Sequence, residues 1–314
     1  MPFRSSKGKD SIVSKLLKIS AASQLGQGLG AGGSSEIPFS ATGGQITTDG
    51  IYTIHTFAIS NASSGQPGDN LNTTMVIQGP PASTEPLQSA DVLIVAGGGA
   101  GGVGGHYGGG GGAGGYTFVS TVSILALADI DGSIDVQVGR GGHSPVSPGG
   151  SPSPGENSSF GGWVSYGGGV GGSGCGGANN GYGGGGGGAG TAPQGGANNV
   201  SGAGGGPGGN RPESRANGGG GARCEGIANS GGGGGGANSG GGNGSNYPGP
   251  QPGNGSGLTN DISGTSVTYA VGGPSGGGTF STNTGNGGAG RNSGAPDSSG
   301  CPGVVIVKYE TPST

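Results

Sequence analysis

From Asp91 the chain reads DVLIVAGGGAGGVGGHYGGGGGAGG as far as Gly115, and this junction limits the fold more than any other stretch. Four apolar residues that favour extended backbone, Val92, Leu93, Ile94 and Val95, pass without punctuation into glycine. The other strongly apolar strand of this kind is Gly303-Val304-Val305-Ile306-Val307-Lys308-Tyr309 near the C-terminus. The two runs are expected to be neighbouring central strands that gather the ends of a long Gly/Ser/Asn/Ala segment lying between them.

Glycine supplies 91 of 314 residues, whereas the hydrophobic set makes up 28% and charged residues 8%. Ordinary chains carry about 7% Gly and about 25% charge, and a glycine excess without a strict period usually means disorder. Collagen is excluded, because runs such as Gly183 to Gly188 and Gly231 to Gly236 break any three-residue frame. The formal net charge of −4 is also far from the charged composition of most disordered chains. Ordering a glycine costs roughly 0.5–1 kcal/mol more than ordering an alanine, so the 91 glycines together cost on the order of 45–90 kcal/mol. Only strands without side chains that approach closely and bond one another laterally offset a cost of that size. Extended three-fold glycine helices, close in shape to polyproline II and packed side by side, meet the requirement. A solvated glycine linker is the competing reading of the same composition.

Several classes fall away on small counts. Cys175, Cys224 and Cys301 are odd in number, far apart and without metal-ligand spacing. No run of about 18 apolar residues exists, so no membrane span is expected. Lys15 and Lys18 interrupt the apolar stretch near the N-terminus, which argues against a secretory signal and hence against cell-wall proteins and silks.

The chain divides into residues 1–35, a basic N-terminal anchor and linker; 36–90, a small β module; 91–310, the glycine-rich domain; and 311–314, a tail. In the first part Ser11 can cap a short helix that places Ile12, Leu16 and Ile19 on one face. A helix this short is marginal alone, so the expectation is an anchor docked on a larger partner; a frayed tail is the alternative. In the second, Thr47 to Gly50 reads as a turn, Ile51 to Ile59 alternates at period two, and Thr73 to Gln78 is a further strand. Beyond Gly115 the expected strands are Tyr116 to Leu125, Ser133 to Val138, Ser159-Phe160 with Trp163 to Tyr166, and Thr265 to Val271. The expected class is all-β: small sheet or sandwich elements capping a bundle of polyglycine-II-like helices, with one short N-terminal α-helix.

Catalytic and cofactor motifs are poor. Gly97 to Gly102 satisfies G-x-G-x-x-G, but glycine and then a strand follow where a dinucleotide site needs a helix. A phosphate-binding P-loop lacks its lysine, since none occurs between Lys18 and Lys308. Asp129, Asp131 and Asp135 hint at calcium, yet Arg140 stands where the bidentate Glu belongs; a polar turn is favoured, with a surface calcium left open. His55, His106 and His143 have no nucleophile signature, and His55 reads as a half-exposed strand residue. One RGG unit at Arg140 is not a nucleic-acid array. No enzyme activity, cofactor, metal or nucleic-acid partner is expected.

Trp163, Tyr166, Tyr116, Phe118 and Tyr269 fall in strand patterns and are assigned to the core. Tyr107, Tyr182 and Tyr247 lie in glycine or Pro-Gly loops, where they either pack between glycine helices or form recognition tips; with His106 they are the candidate receptor-contacting residues.

The succession IYTIHTF, ADVLIVAGGGAGG, HYGGGGGAGGY, SIDVQVGRGG, NSSFGG, TYAVGG and GVVIVKY, over roughly Ala41 to Tyr309, resembles the glycine-rich domain of bacteriophage tail-fibre and related virion proteins. The resemblance implies a virion surface component, often homotrimeric, that attaches to a host-surface glycan or protein. The chain lacks the long shaft of a whole fibre, so a short tail fibre or fibre tip is expected, joined to other virion proteins through its N-terminus. A capsid-decorating or head-fibre protein is the alternative, and an ice- or polysaccharide-binding glycine module a third.

Overall fold

The computed structural model describes residues 39–60, 69–78, 89–104, 108–144, 152–172, 210–216, 231–244, 253–275, 282–292 and 298–312. The expected N-terminal helix, with Ile12, Leu16 and Ile19, lies outside them. Within them the fold is all-β, and its only helical feature is one 3-10 turn at Ile124–Ala126.

Two five-stranded sheets carry the structure. Sheet I contains β1 (Ser40–Thr42), β4 (Leu71–Gln78), β8 (Ser133–Val138), β9 (Ser158–Phe160) and β10 (Trp163–Ser165), in that spatial order. Sheet II is ordered β2 (Gln45–Asp49), β3 (Tyr52–Ala58), β14 (Val304–Glu310), β5 (Ser89–Val95) and β7 (Tyr116–Ser123). All pairings in both are antiparallel. The hairpin β11 (Leu258–Asn260) and β12 (Val267–Tyr269) is separate, as is a parallel pair, β6 (Val103–Gly104) with β13 (Arg291–Asn292). Strands from residues 36–90 interleave with later ones: β3 pairs with β14, and β4 with β8.

The two apolar runs are the adjacent central strands that the sequence requires. β14 lies against β5 with Val304 opposite Val95 and Val307 opposite Val92. Their runs are unbroken because both faces of sheet II are covered. On the inner face Val92, Ile94, Val305, Val307 and Phe57 meet Met75, Ile134, Val136 and Phe160 of sheet I. On the outer face Leu93, Val95, Val304 and Ile306 meet Tyr116, Tyr269 and Ile262. Each fully buried aliphatic side chain contributes about 1.5–3 kcal/mol, so this doubly covered pair is the main store of apolar stability.

The same double covering corrects the reading of His55. Alternation marks it half-exposed, but sheet I closes over the inner face and it is fully buried beside the equally buried Ile54. Its Nδ1–H donates to the Gly43 carbonyl at 2.8 Å, which leaves Nε2 to accept from the Tyr309 hydroxyl at 3.2 Å. Burial lowers its pKa below the ordinary 6.5 and favours the neutral ring. A second correction concerns Thr47 to Gly50: the turn sits one step later, at Gly50-Ile51, and Gln45–Asp49 form β2. Gly50 at φ +60 supplies the left-handed backbone that a two-residue hairpin loop demands. Of the expected core aromatics, Tyr116 and Tyr269 are buried, whereas Phe118, Trp163 and Tyr166 are half-buried.

Candidate functional site

Strands of the sheets run directly into glycine tracts. Tracts 96–102, 139–144, 167–172 and 270–275 continue β5, β8, β10 and β12 away from the sheets. Tracts 108–115, 153–157, 253–257 and 298–303 return into β7, β9, β11 and β14. Tracts 231–237, 241–244 and 284–290 lie among them.

The hydrogen bonds between tracts repeat every third residue. In tract 96–102, Gly97 and Ala100 donate to Glu156 and Ser153, Gly98 and Gly101 to Cys301 and Ser298, and Gly99 and Gly102 to Gly112 and Gly109. The carbonyls follow the same rule. Those of Gly97 and Ala100 accept from Gly168 and Gly171, that of Gly98 from Gly142, and that of Gly99 from Gly288. This one tract therefore touches six neighbours, three through its amides and three through its carbonyls. Tract 108–115 behaves alike: Gly109, Gly112 and Gly115 donate to Gly172, Gly169 and Tyr166, while Gly110 and Ala113 donate to Gly232 and Gly235. Such spacing leaves no room for side chains in most directions. A Cβ on Gly99 would meet the Gly169 carbonyl, and one on Gly101 the Ala289 carbonyl. The G-x-G-x-x-G match at Gly97 to Gly102 is thus enclosed by other chain segments, and among the described residues no helix follows it.

The end of the tracts remote from the sheets is the candidate site. There Gly102 bonds Gly109 at 2.9 Å, Gly109 bonds Gly172 at 3.0 Å, and Gly290 bonds Pro274 at 2.8 Å. Three buried serines stand where the tracts approach this end, Ser144, Ser275 and Ser298. The Ser298 hydroxyl donates to Ser144 Oγ at 2.8 Å, and the Ser144 amide to Ser299 Oγ at 3.0 Å. Sequence reasoning missed them, since a serine among so many carries no signal. The stretches 105–107, 145–151, 173–209, 245–252, 276–281 and 293–297, which lie outside the described residues, all begin from this end.

The predicted contact residues His106, Tyr107, Tyr182 and Tyr247 belong to three of those stretches and so lie outside the described residues. At least one flank of each stretch is brought to this end, through the Gly102–Gly109–Gly172 chain and the bonds from Gly110 to Gly232 and Gly233 to Gly242, while Asn210, which follows stretch 173–209, bonds Val164 of β10. Residues 139–144 and 152–155 are less free than a long loop would be. Gly142 donates to Gly98, Gly303 to Gly139, and Ser153 to His143. Among the described residues no three His, Cys, Asp or Glu side chains cluster as metal ligands. In the turn before β8, Asp131 Oδ1 accepts from the Ser133 hydroxyl and amide at 2.6 and 3.0 Å, which holds its carboxyl below the usual range, while Asp135 lies in β8.

A family model described as a glycine-rich domain matches residues 80–310. The chain belongs to that family. No curated protein matches it. The matched region of this glycine-rich domain takes in every tract and the strands β5 to β14, while β1 to β4, which precede it, complete both sheets. No described helix is long and apolar enough to cross a membrane.

Proposed function

We propose that the glycine tracts are polyglycine-II-like helices bundled side by side, and that the protein is a non-enzymatic component of a phage virion. In this reading it is a short tail fibre or fibre tip, held to other virion proteins through residues 1–35, and it presents the loop-bearing end of the bundle to a host-surface glycan or protein. The observation that carries the reading is the arrangement of the tracts. Amides and carbonyls alternate among neighbours with a three-residue period, and six stretches of chain start from the end farthest from the sheets. Backbone bonded in this way forms a stiff platform, and loops on a stiff platform are where recognition residues concentrate. His106, Tyr107, Tyr182 and Tyr247 are the proposed contacts.

Two measurements test it. Antibody raised to the full chain should label the tails of purified virions, and free protein should compete with them for adsorption to host cells. Virions that lack the polypeptide overturn the proposal, and label on heads alone replaces it with a capsid-decorating role. Tyr107→Ala and Tyr247→Ala are expected to lower competition by about tenfold each without changing the melting temperature, as loss of an aromatic contact does.

A further inference from the structure

The two sheets have four outer strands, and three of them are closed to further pairing. β1 has only three residues. On the opposite side, residues 210–216 bridge β10 and β7: Asn210 donates to the Val164 carbonyl at 2.9 Å, and Arg215 exchanges amide bonds with Tyr116 at 2.8 and 3.2 Å. Beyond that bridge β7 is broken by a register shift opposite Ala90 and Val92 and by Thr121 at φ +54. β2 has none of these devices. It forms five consecutive regular pairs with β3, holds neither Lys nor Pro, and is exposed at every position. No strand lies on its outer side among the described residues. Natural proteins blunt such edges unless something pairs with them.

We infer that β2 is an interface with a second copy of this chain, pairing antiparallel with the same strand about a two-fold axis at Thr47. The residues fit that register. Thr47 faces its own copy, Ile46 faces Thr48 of the second copy, and Gln45 faces Asp49. Ile46 lies on the inner face with His55 and is 49% exposed. In this register the two Ile46 side chains are diagonal neighbours about 7–8 Å apart and cover one another. The hydroxyls of the two Thr47 residues bond across the axis, and the Gln45 amide donates to the Asp49 carboxylate. Asp49 is already neutralised by Lys308 Nζ at 2.9 Å and never meets its own copy, so no like charges oppose. Parallel pairing in register stacks Asp49 on Asp49 and lacks this match. Since the opposite edge is bridged by residues 210–216, the sheet extends once and stops at two chains. The inference is independent of the virion reading and favours a two-fold over the three-fold assembly that the resemblance implies.

The test uses the full chain in analytical ultracentrifugation and mild oxidation. The parent protein should sediment as two chains that dissociate on dilution. Ile46→Lys, at a half-exposed site, should weaken association by at least about tenfold, as an edge lysine does, while Ile51→Lys, 58% exposed in the adjoining turn, should not. Thr47→Cys should form an inter-chain disulfide absent from the parent, since opposed residues in antiparallel strands lie about 4.5–5.5 Å apart, and Ile46→Lys should suppress it. A single-chain species at all concentrations overturns the inference. So does an assembly indifferent to Ile46→Lys, or a three-chain one in which Thr47→Cys does not cross-link. Protection of β2 amides in a single-chain species also overturns it and assigns the edge to residues 1–38 instead.

Discussion

Gly111 has no space for a methyl group, because a Cβ there would run into the carbonyls of Gly99 and Ala100. Both are backbone atoms held by their own hydrogen bonds, so nothing nearby can give way. Gly111→Ala is expected to destabilise the protein by about 3 kcal/mol or more in urea unfolding, at the upper end of overpacking costs. Gly253→Ala meets nothing within 4 Å and should stay within about 0.5 kcal/mol of the parent. Gly111 lies in an unbroken glycine run and Gly253 follows Pro252, but neither setting says which backbone approaches the residue. Ala100 and Ala113 interrupt otherwise similar tracts and are fully buried, so the lattice accepts methyl groups at some positions and rejects them at others. His55 was illegible for a related reason: its exposure is set by sheet I lying over it, not by its neighbours in sequence. Folded His55 resists protonation while the unfolded residue accepts a proton near its ordinary 6.5. The stability tied to its neutral form is therefore complete above about pH 6.5 and is lost as pH falls through the lower folded value. His55→Phe should flatten the fall of the stability–pH curve that begins as pH drops below about 6.5. Burial also pushes the Cys301 thiol up to about 11. Its alkylation at about pH 8 should be at least about a hundredfold slower in the folded than in the unfolded chain, in proportion to its thiolate fraction.

At the scale of elements, legibility followed burial. β5 and β14 were plain because an apolar run covered on both faces leaves no polar interruption, and β8 matched its expected bounds, Ser133–Val138. β2 was not, since Gln-Ile-Thr-Thr-Asp carries turn formers and is exposed throughout. β11 carries no signal either, being the three residues Leu258–Asn260 set between Gly257 and Asp261. The bridging role of residues 210–216 had no local signal at all; it depends on Tyr116, Val164 and the hydroxyls of Thr117, Ser165 and Ser214, which meet at 2.7 Å. β7 was read two residues too long, because the chain bends into the Ile124–Ala126 turn. Its irregularity leaves exposed Thr121 at φ +54, an unfavourable backbone for a β-branched residue. Thr121→Gly should therefore raise stability by about 1 kcal/mol in the same urea measurement, an increase that depends on relief of left-handed strain.

For the whole molecule, the sheets and the glycine tracts form one continuous hydrogen-bonded body. The sandwich supplies most of the apolar burial, and eight of the described tracts are held at their sheet ends by the strands that they leave or enter. That division explains why a chain so poor in hydrophobic residues has two clusters of fully buried side chains, both built around sheet II. It also places the end of the tracts remote from the sheets farthest from the apolar core. The central claim is that glycine backbones here satisfy one another's amides rather than water's. Amide hydrogen exchange measured residue by residue on the full chain tests it directly. The account predicts that Gly99, Gly112 and Gly169 exchange at least about a thousandfold slower than an unstructured glycine peptide, with opening energies approaching those of Val305 and Ile306 in β14. Exchange of those three glycines at unstructured rates, while β14 stays protected, would contradict it.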